Sequence, residues 1–187
     1  MSFHKANKSK STRINQGDIF KNIPFIEKYF ENDGKFELGI IDFPHIYILT
    51  QDCDLEQNSN ERIKNSSGES SKLDKYLISI LVAPIYNVQH VFDGNHLEFL
   101  GITSERHNSS QREKIKQNQN QRYHYIELSD NLNLSPLVID FKHYFSITLD
   151  TLEEKLENRE CQVEAIYRES ISQRFAFYLS RIGLPNL

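Results

Sequence analysis

The chain has 187 residues, of which 38% are hydrophobic and 11% aromatic, and it carries a formal net charge of −4 at pH 7. This length suits one domain with a sizeable insertion, and the acidic balance excludes binding to polyanions through overall charge. The two cysteines, Cys53 and Cys161, are too few for a disulfide scaffold, and no run reaches the roughly 20 apolar residues of a membrane helix. We expect a cytoplasmic protein with reduced thiols, no cofactor, no bound metal and no membrane partner.

Residues 1–15 are predicted to form a flexible, basic arm. The first 13 residues hold four basic residues and no acidic one, namely Lys5, Lys8, Lys10 and Arg13. Such an arm either contacts phosphate groups or is a solvated terminus.

Short apolar, β-branched segments after this arm are typical of strands. The predicted strands are 36–41, 46–50, 76–83, 122–128, 137–147 and 162–166. Asp42, Phe43 and Pro44 indicate a bend between the first two segments, and Pro84 is expected to end the third. Short helices are predicted within 88–100, at 111–116 after a Ser109 or Ser110 cap, and at 152–157 after Asp150.

Two polar, low-complexity tracts interrupt this pattern, near 56–74 and 103–121. Their composition predicts long loop insertions. The clearest helix is 169–182, because Ile171, Phe175, Tyr178 and Ile182 recur at helical spacing, while Gly183 and Pro185 favour its end.

The predicted fold is therefore mainly β, in the α+β class. We expect residues 16–187 to form a single small SH3-like barrel with two long polar insertions and a C-terminal helix.

The most unusual polar segment follows the apolar strand 46–50. Asp52, Cys53 and Asp54 come directly after it, and the end of a rigid strand is a common place for reactive groups. Cys53 would need a nearby base such as His124 to become a nucleophile, since the flanking carboxylates favour the neutral thiol. The alternative is that Cys53 is a small packed residue and the aspartates bind backbone amides of a turn.

A second candidate surface lies in the 105–122 stretch, where five basic residues and two acidic ones give a local charge of +3. The candidate nucleic-acid-binding residues are Arg112, Lys114, Lys116, Arg122 and Tyr123. Positive charge beside an aromatic ring is typical of single-strand binding, and a solvated loop is the alternative. Arg122 and His124 would share one strand face, where they could meet a phosphate. The scattered cysteines and histidines show no zinc-ligand spacing.

The order of three segments resembles the MazF/PemK-like toxin family. These segments are the Gly17-Asp18-Ile19 turn, the strand end at Val82-Ala83-Pro84-Ile85 and the C-terminal helix. The resemblance implies an SH3-like barrel that dimerises and cuts single-stranded RNA without a metal. No catalytic residue of the family is carried over, because 43–45 (Phe-Pro-His) replaces its arginine–proline pair and 86–87 (Tyr-Asn) replaces its hydroxyl residue.

Three functions remain open from the sequence. The first is a toxin-like or phage-defence-associated barrel that binds RNA or DNA, with a metal-independent ribonuclease activity undecided. The second is a non-catalytic subunit that binds a protein partner, or a second copy of itself, within a larger bacterial system. The third is a hydrolase that uses Asp52, Cys53, Asp54 and His124 as catalytic residues.

Overall fold

The computed structural model describes residues 4–9, 11–69, 72–128 and 134–181. These ranges contain eight strands and five α-helices, and the chain is mainly β within the α+β class. The strands form an antiparallel sheet that does not close, so the SH3-like barrel is not confirmed. None of the helices in these ranges has the length and apolar character needed to cross a bilayer.

The strands are β1 (Ala6–Asn7), β2 (Asp18–Asn32), β3 (Lys35–Ile48), β4 (Ile80–Asn87), β5 (Tyr123–Ile126), β6 (Leu137–Asp140), β7 (Phe145–Ile147) and β8 (Arg159–Val163). The helices are α1 (Asp52–Ser66), α2 (Val88–Asp93), α3 (Ser109–Lys116), α4 (Leu149–Glu153) and α5 (Ala165–Leu179).

The chain divides into two compact units. The histidine unit comprises Met1–Ala6, Tyr86–His143 and Val163–Leu187. The hairpin unit comprises Asn7–Ile85 and Tyr144–Gln162.

A long antiparallel hairpin of β2 and β3 dominates the hairpin unit. The turn between them is Asp33–Gly34, with φ of 51° and 72°, as the tight twisted turn of a hairpin requires. The segments predicted at 36–41 and 46–50 are therefore one continuous strand, and the bend predicted at Asp42–Pro44 is absent. Pro44 is tolerated because the β3–β4 pairing begins at His45, beyond the proline.

The core of the hairpin unit lies against the base of this hairpin. β2 also pairs with β8, and β4 pairs with both β3 and β7. The buried apolar residues are Ile14, Phe20, Ile23, Phe43, Ile46, Ile48, Leu55, Ile80, Val82, Ile147, Leu149 and Leu152. This cluster fixes the base of the hairpin.

The tract at 56–74 was predicted as a loop, but most of it belongs to helix α1. Polar side chains secure this helix, which explains why its sequence lacks an apolar stripe. Asn58 is buried and accepts a 2.9 Å hydrogen bond from the Leu77 backbone N–H. Glu61 accepts one of 2.8 Å from the Lys72 N–H. Residues 70–71 of the tract lie outside the described residues.

In the histidine unit, β5 pairs antiparallel with β6, with Tyr123 opposite Asp140. Helix α5 buries Ile171, Phe175 and Tyr178, which confirms the predicted apolar face. It spans Ala165–Leu179 rather than 169–182, and Ile182, Gly183 and Pro185 lie outside the described residues.

The cap of α3 differs from the prediction. Asn108, not Ser109 or Ser110, accepts the hydrogen bond from the Gln111 N–H, and Gln111 bonds back to complete a capping box. Asparagine is at least as good a cap as serine, and a capping box requires a Glu or Gln three residues after the cap. Gln111 stands at that position relative to Asn108.

Three other boundaries shift by a few residues. Strand β4 begins at Ile80 and continues through Pro84 to Asn87, because Pro84 pairs with Ile46 as a regular member of the ladder. Helix α4 starts earlier than expected since Thr148, not Asp150, caps it. Strand β8 begins at Arg159, where it pairs with Phe20.

Candidate active site

Asp140, the last residue of β6, is a fully buried carboxylate in the histidine unit. It accepts two hydrogen bonds from Arg122, from Nε at 2.8 Å and from Nη2 at 2.6 Å. The antiparallel register explains this contact, because Arg122 precedes Tyr123, the residue opposite Asp140. Burial by itself would raise the pKa of Asp140, but the hydrogen bonds from Arg122 and His143 and their charges lower it to about 2. The carboxylate is therefore ionised at neutral pH.

His143 ends the short 3₁₀ turn Phe141–His143 that follows β6. The Asp140 side chain shapes this turn by accepting a 3.0 Å hydrogen bond from the Lys142 N–H. Nδ1 of His143 lies 2.8 Å from Oδ2 of Asp140, and the side chain is 29% exposed. An ionised carboxylate can only accept, so Nδ1 carries a proton, and in the neutral ring Nε2 is then the nitrogen with the lone pair. This is the geometry of a general base held by a second residue.

Arg122 supplies positive charge beside His143. Its Nη2 lies 3.5 Å from Nδ1 of His143, and its guanidinium stacks 4.7 Å from the centroid of Tyr123. Burial lowers the pKa of Arg122, but the hydrogen bond and charge of Asp140 outweigh it and raise that pKa. The side chain is 26% exposed, so part of a permanent cation reaches the surface beside His143.

Two further cations, Lys142 and Arg181, belong to the same unit. Lys142 is exposed next to His143 in the turn. Arg181 lies 3.6 Å above the ring of Tyr178, which itself packs 6.0 Å from Phe141. The surface around His143 therefore suits an anion.

Aromatic side chains close the interior behind Asp140. The buried ring of His96 has its Nε2 3.9 Å from Oδ2 of Asp140 and lies 5.1 Å from the ring of Tyr86. Burial lowers the pKa of His96 to about 4 and raises the pKa of Tyr86. Within the described residues, neither ring nitrogen of His96 nor the Tyr86 hydroxyl has a hydrogen-bond partner. Both residues are neutral at pH 7, whereas Arg122 and His143, which bond to Asp140, are partly exposed.

The structure places the predicted catalytic residues in different surroundings. Asp52 begins α1 and accepts hydrogen bonds from Arg13, at 3.3 and 3.2 Å, and from the Gln16 N–H at 3.2 Å. Cys53 is exposed, and its Sγ lies 3.6 Å from Gln51 Oε1 and 3.7 Å from Asp54 Oδ1, both acceptors. These residues belong to the hairpin unit, whereas His124 belongs to the histidine unit.

His124 is buried and pairs with a residue that the sequence did not single out. Its Nε2 lies 3.3 Å from Nε2 of His4, and the His4 N–H donates to the Glu127 carbonyl at 2.9 Å. Burial lowers the pKa of His4 to about 4, and burial with the charge of His4 and Arg174 lowers the pKa of His124 well below its ordinary value. The pair is neutral at pH 7. No sequence signal links these residues, because they lie 120 positions apart.

His4 also lines a cavity of about 780 Å³ in the histidine unit. The other lining residues are Val88, Gln89, Phe92, Glu113, Lys116, Gln117, Asn118, Tyr125, Glu127 and Pro136. The cavity has mixed polarity and one lysine, and it is large enough for a nucleotide-sized group.

The five candidate nucleic-acid-binding residues divide into two groups. Lys114 and Lys116 are exposed on α3, and Arg112 packs 5.3 Å above the ring of Phe92 while bonding to the His107 carbonyl and to Asp93. Tyr123 is 3% exposed, so its ring is not presented to a base, and Arg122 is engaged with Asp140.

No cluster of three or more metal-ligating side chains occurs in the part of the chain that the structure describes. Cys161 is buried, and burial raises the pKa of its thiol to about 12. No protein-family model, curated protein or solved structure matches the chain.

Proposed function

We propose that the histidine unit binds single-stranded RNA and cleaves its phosphodiester bonds without a metal. The observation that carries this proposal is the 2.8 Å contact between Nδ1 of the partly exposed His143 and the buried, ionised Asp140, with Arg122 on the same carboxylate. The ribonuclease hypothesis is kept, but the proposed catalytic residues are no longer Asp52, Cys53, Asp54 and His124. They are His143, Asp140 and Arg122. Membership of the MazF/PemK-like family, with its SH3-like barrel, stays a prediction.

The residues support a specific reaction. Nε2 of His143 takes the proton of a ribose 2′-hydroxyl, and the 2′-oxygen attacks the adjacent phosphorus. The P–O5′ bond then breaks, and the departing 5′-oxygen takes a proton from water. The products are a 2′,3′-cyclic phosphate and a 5′-hydroxyl end. Asp140 holds the imidazole and stabilises the imidazolium, while Arg122 offsets the negative charge that develops on the phosphoryl oxygens.

The exposed cations provide the binding energy for the backbone. Lys142 is exposed next to His143, Arg181 is exposed over Tyr178, and Lys114 and Lys116 are exposed on α3 of the same unit. Contacts of this kind are electrostatic, so binding should weaken steeply as salt concentration rises.

The test is cleavage of a labelled RNA oligonucleotide by the purified chain in the presence of a chelator. A DNA oligonucleotide of the same sequence lacks the 2′-hydroxyl and should stay intact. We expect His143→Ala to lower the cleavage rate by about 10²–10⁴-fold. His90→Ala is the matched control, because His90 is an exposed histidine on α2 of the same unit.

Three results would contradict the proposal: equal cleavage of the DNA, loss of activity on chelation, or a His143→Ala rate equal to that of wild type. If wild type and variants all bound RNA without cleaving it, Asp140, Arg122 and His143 would be structural residues that hold β5 and β6 together. Thermal unfolding of each variant separates a chemical effect from loss of the fold.

A further inference from the structure

The outer part of the β2–β3 hairpin, residues 26–40, carries an apolar face that is open to solvent. Directly opposed residues share a face of an antiparallel ribbon. The register therefore places Ile26 with Ile40, Tyr29 with Leu38, and Phe36 across from Glu31. The exposed fractions of these apolar side chains are 56% for Ile26, 77% for Tyr29, 75% for Phe36, 55% for Leu38 and 56% for Ile40. We call these five residues the apolar face.

Such a face is unusual on a free surface. A two-stranded hairpin without further packing is marginally stable in water, and contiguous apolar patches of this kind mark interaction sites. A buried aromatic side chain removes roughly 150–250 Å² from water. With the exposed fractions given above, the five residues of the apolar face together expose on the order of 500 Å². A standard stable interface buries about 800 Å² on each partner. The apolar face alone supplies more than half of that area.

The charges of this segment exclude two classes of occupant. Residues 26–40 contain the acidic residues Glu27, Glu31, Asp33 and Glu37 and the basic residues Lys28 and Lys35, so the segment has a net charge of −2. A negative segment repels nucleic acid and anionic membranes. Of the macromolecules, this leaves a protein surface as the occupant to test first.

The side chains of the outer hairpin favour packing through its apolar face. Pro24 and Pro44 lie on β2 and β3 at the base of the hairpin, outside residues 26–40, so proline limits the addition of a further strand only there. Within the described residues, β8 pairs with β2 only at Asp18–Phe20, and β4 pairs with β3 only from His45 onward. The edges of the outer hairpin thus have no strand partner there, and its apolar side chains offer the favourable surface.

We propose that the apolar face packs against the same face of a second copy of this chain, forming a two-fold symmetric dimer. A two-fold interface requires one self-complementary patch, and apolar side chains on both strands of the hairpin meet this requirement. Doubling the apolar face buries on the order of 1,000 Å² in total before the flanking side chains are counted, which is about the minimum expected of a biological interface.

The test is the molar mass of the full chain by sedimentation and light scattering, at concentrations from about 1 to about 100 µM. We expect a dimer for wild type and a dissociation constant raised about tenfold or more by Leu38→Glu and by Tyr29→Lys. Phe30→Lys is the matched control, because Phe30 is a 41% exposed aromatic residue on the opposite face, paired with Glu37. It should leave the dimer intact.

A wild-type monomer throughout this range would overturn the proposal, as would a Leu38→Glu variant that dimerises like wild type. Equal weakening by Phe30→Lys would overturn the assignment of the face. If a different protein co-purifies in stoichiometric amount, or neutral vesicles bind the chain, and Leu38→Glu abolishes that binding, the occupant is not a second copy. Circular dichroism shows whether each variant retains the β structure.

Discussion

Each unit of the molecule contains a fully buried aspartate paired with an arginine, yet the two pairs differ in what surrounds them. In the histidine unit, Asp140 bonds to Arg122, which is 26% exposed, and to His143. In the hairpin unit, Asp18 bonds to Arg159 at 3.1 Å, and the arginine is only 8% exposed. The Asp140–Arg122 pair is connected to solvent through the partly exposed His143, whereas the Asp18–Arg159 pair is almost completely buried.

The two carboxylates also differ in their protonation. Hydrogen bonds from Arg122 and His143 outweigh burial at Asp140, whereas burial prevails at Asp18 and raises its pKa, against the hydrogen bonds of Asn15 and the charge of Arg159. Within the described residues, Oδ1 of Asp18 has no hydrogen-bond partner. The same ion pair thus stands in two environments: one is open to solvent and suited to the proposed chemistry, and the other is enclosed and suited to a structural role.

The largest expected change in stability is that of removing the carboxylate of the enclosed pair. Asp18→Ala should lower the free energy of unfolding by about 3 kcal/mol, because it leaves a buried guanidinium without its carboxylate. This value is at the lower end for a broken buried pair, since Arg159 keeps its bonds to the carbonyls of Arg13 and Ser11. Urea unfolding at pH 7 measures the loss.

The matched variant is His143→Ala, which removes the exposed member of the other cluster and should leave the free energy of unfolding within about 1 kcal/mol of wild type. RNA cleavage by the folded Asp18→Ala chain should equal that of wild type. If both variants lost stability equally and neither changed cleavage, the contrast between the pairs would disappear.

A smaller effect concerns pH. Burial lowers the folded-state pKa of His4 and of His96 from 6.5 to about 4, so the unfolded chain binds more protons between these values. Their contribution to stability is complete above about pH 6.5 and is lost as pH falls toward 4. Asp18 has the opposite sign, because its raised pKa favours the folded state at low pH. We expect the free energy of unfolding to fall from pH 7 to pH 4.5, as measured by urea unfolding.

The variant His4→Phe should flatten this pH dependence, because it removes one buried titrating ring and keeps an aromatic ring against Tyr167, whose centroid lies 5.2 Å away. A shift of one pKa unit corresponds to about 1.4 kcal/mol, which limits the contribution of His4 to about 3 kcal/mol. A pH dependence identical to that of wild type would show that His4 titrates normally.

The smallest expected effect is that of Cys53→Ser. The thiol is exposed and its contacts are with acceptors, so the free energy of unfolding should change by less than about 0.5 kcal/mol. RNA cleavage should also be unchanged. A loss of cleavage would instead favour the hydrolase hypothesis and place the chemistry in the hairpin unit.

The sequence predicted those elements whose buried residues are apolar and periodic. Helix α5 was recognisable because Ile171, Phe175 and Tyr178 lie on one face. Helix α1 was not, since two of its three buried residues, Asn58 and Glu61, are polar and bind backbone amides distant in sequence. Hydrophobic periodicity carries no information about such contacts.

The residues of the candidate site could be predicted only in part, because their contacts also join positions distant in sequence. Arg122 was selected for its charge, but its partner Asp140 lies 18 positions away and is fixed by strand register. One local signal was present, namely a histidine three residues after an acid at the end of an apolar strand. The pairing of His4 with His124 depends on contacts between distant segments, which composition and spacing cannot reveal.

The histidine unit is assembled from three separate stretches of the chain, and this has a consequence for its synthesis. The Glu164 N–H donates to the Lys5 carbonyl at 2.9 Å, and Tyr178 packs on Phe141. At a translation rate of about 5–20 residues per second, α5 leaves the ribosome many seconds after Lys5. A nascent chain therefore holds His143 on an unfinished scaffold, and the unit gains its final packing only after α5 is made.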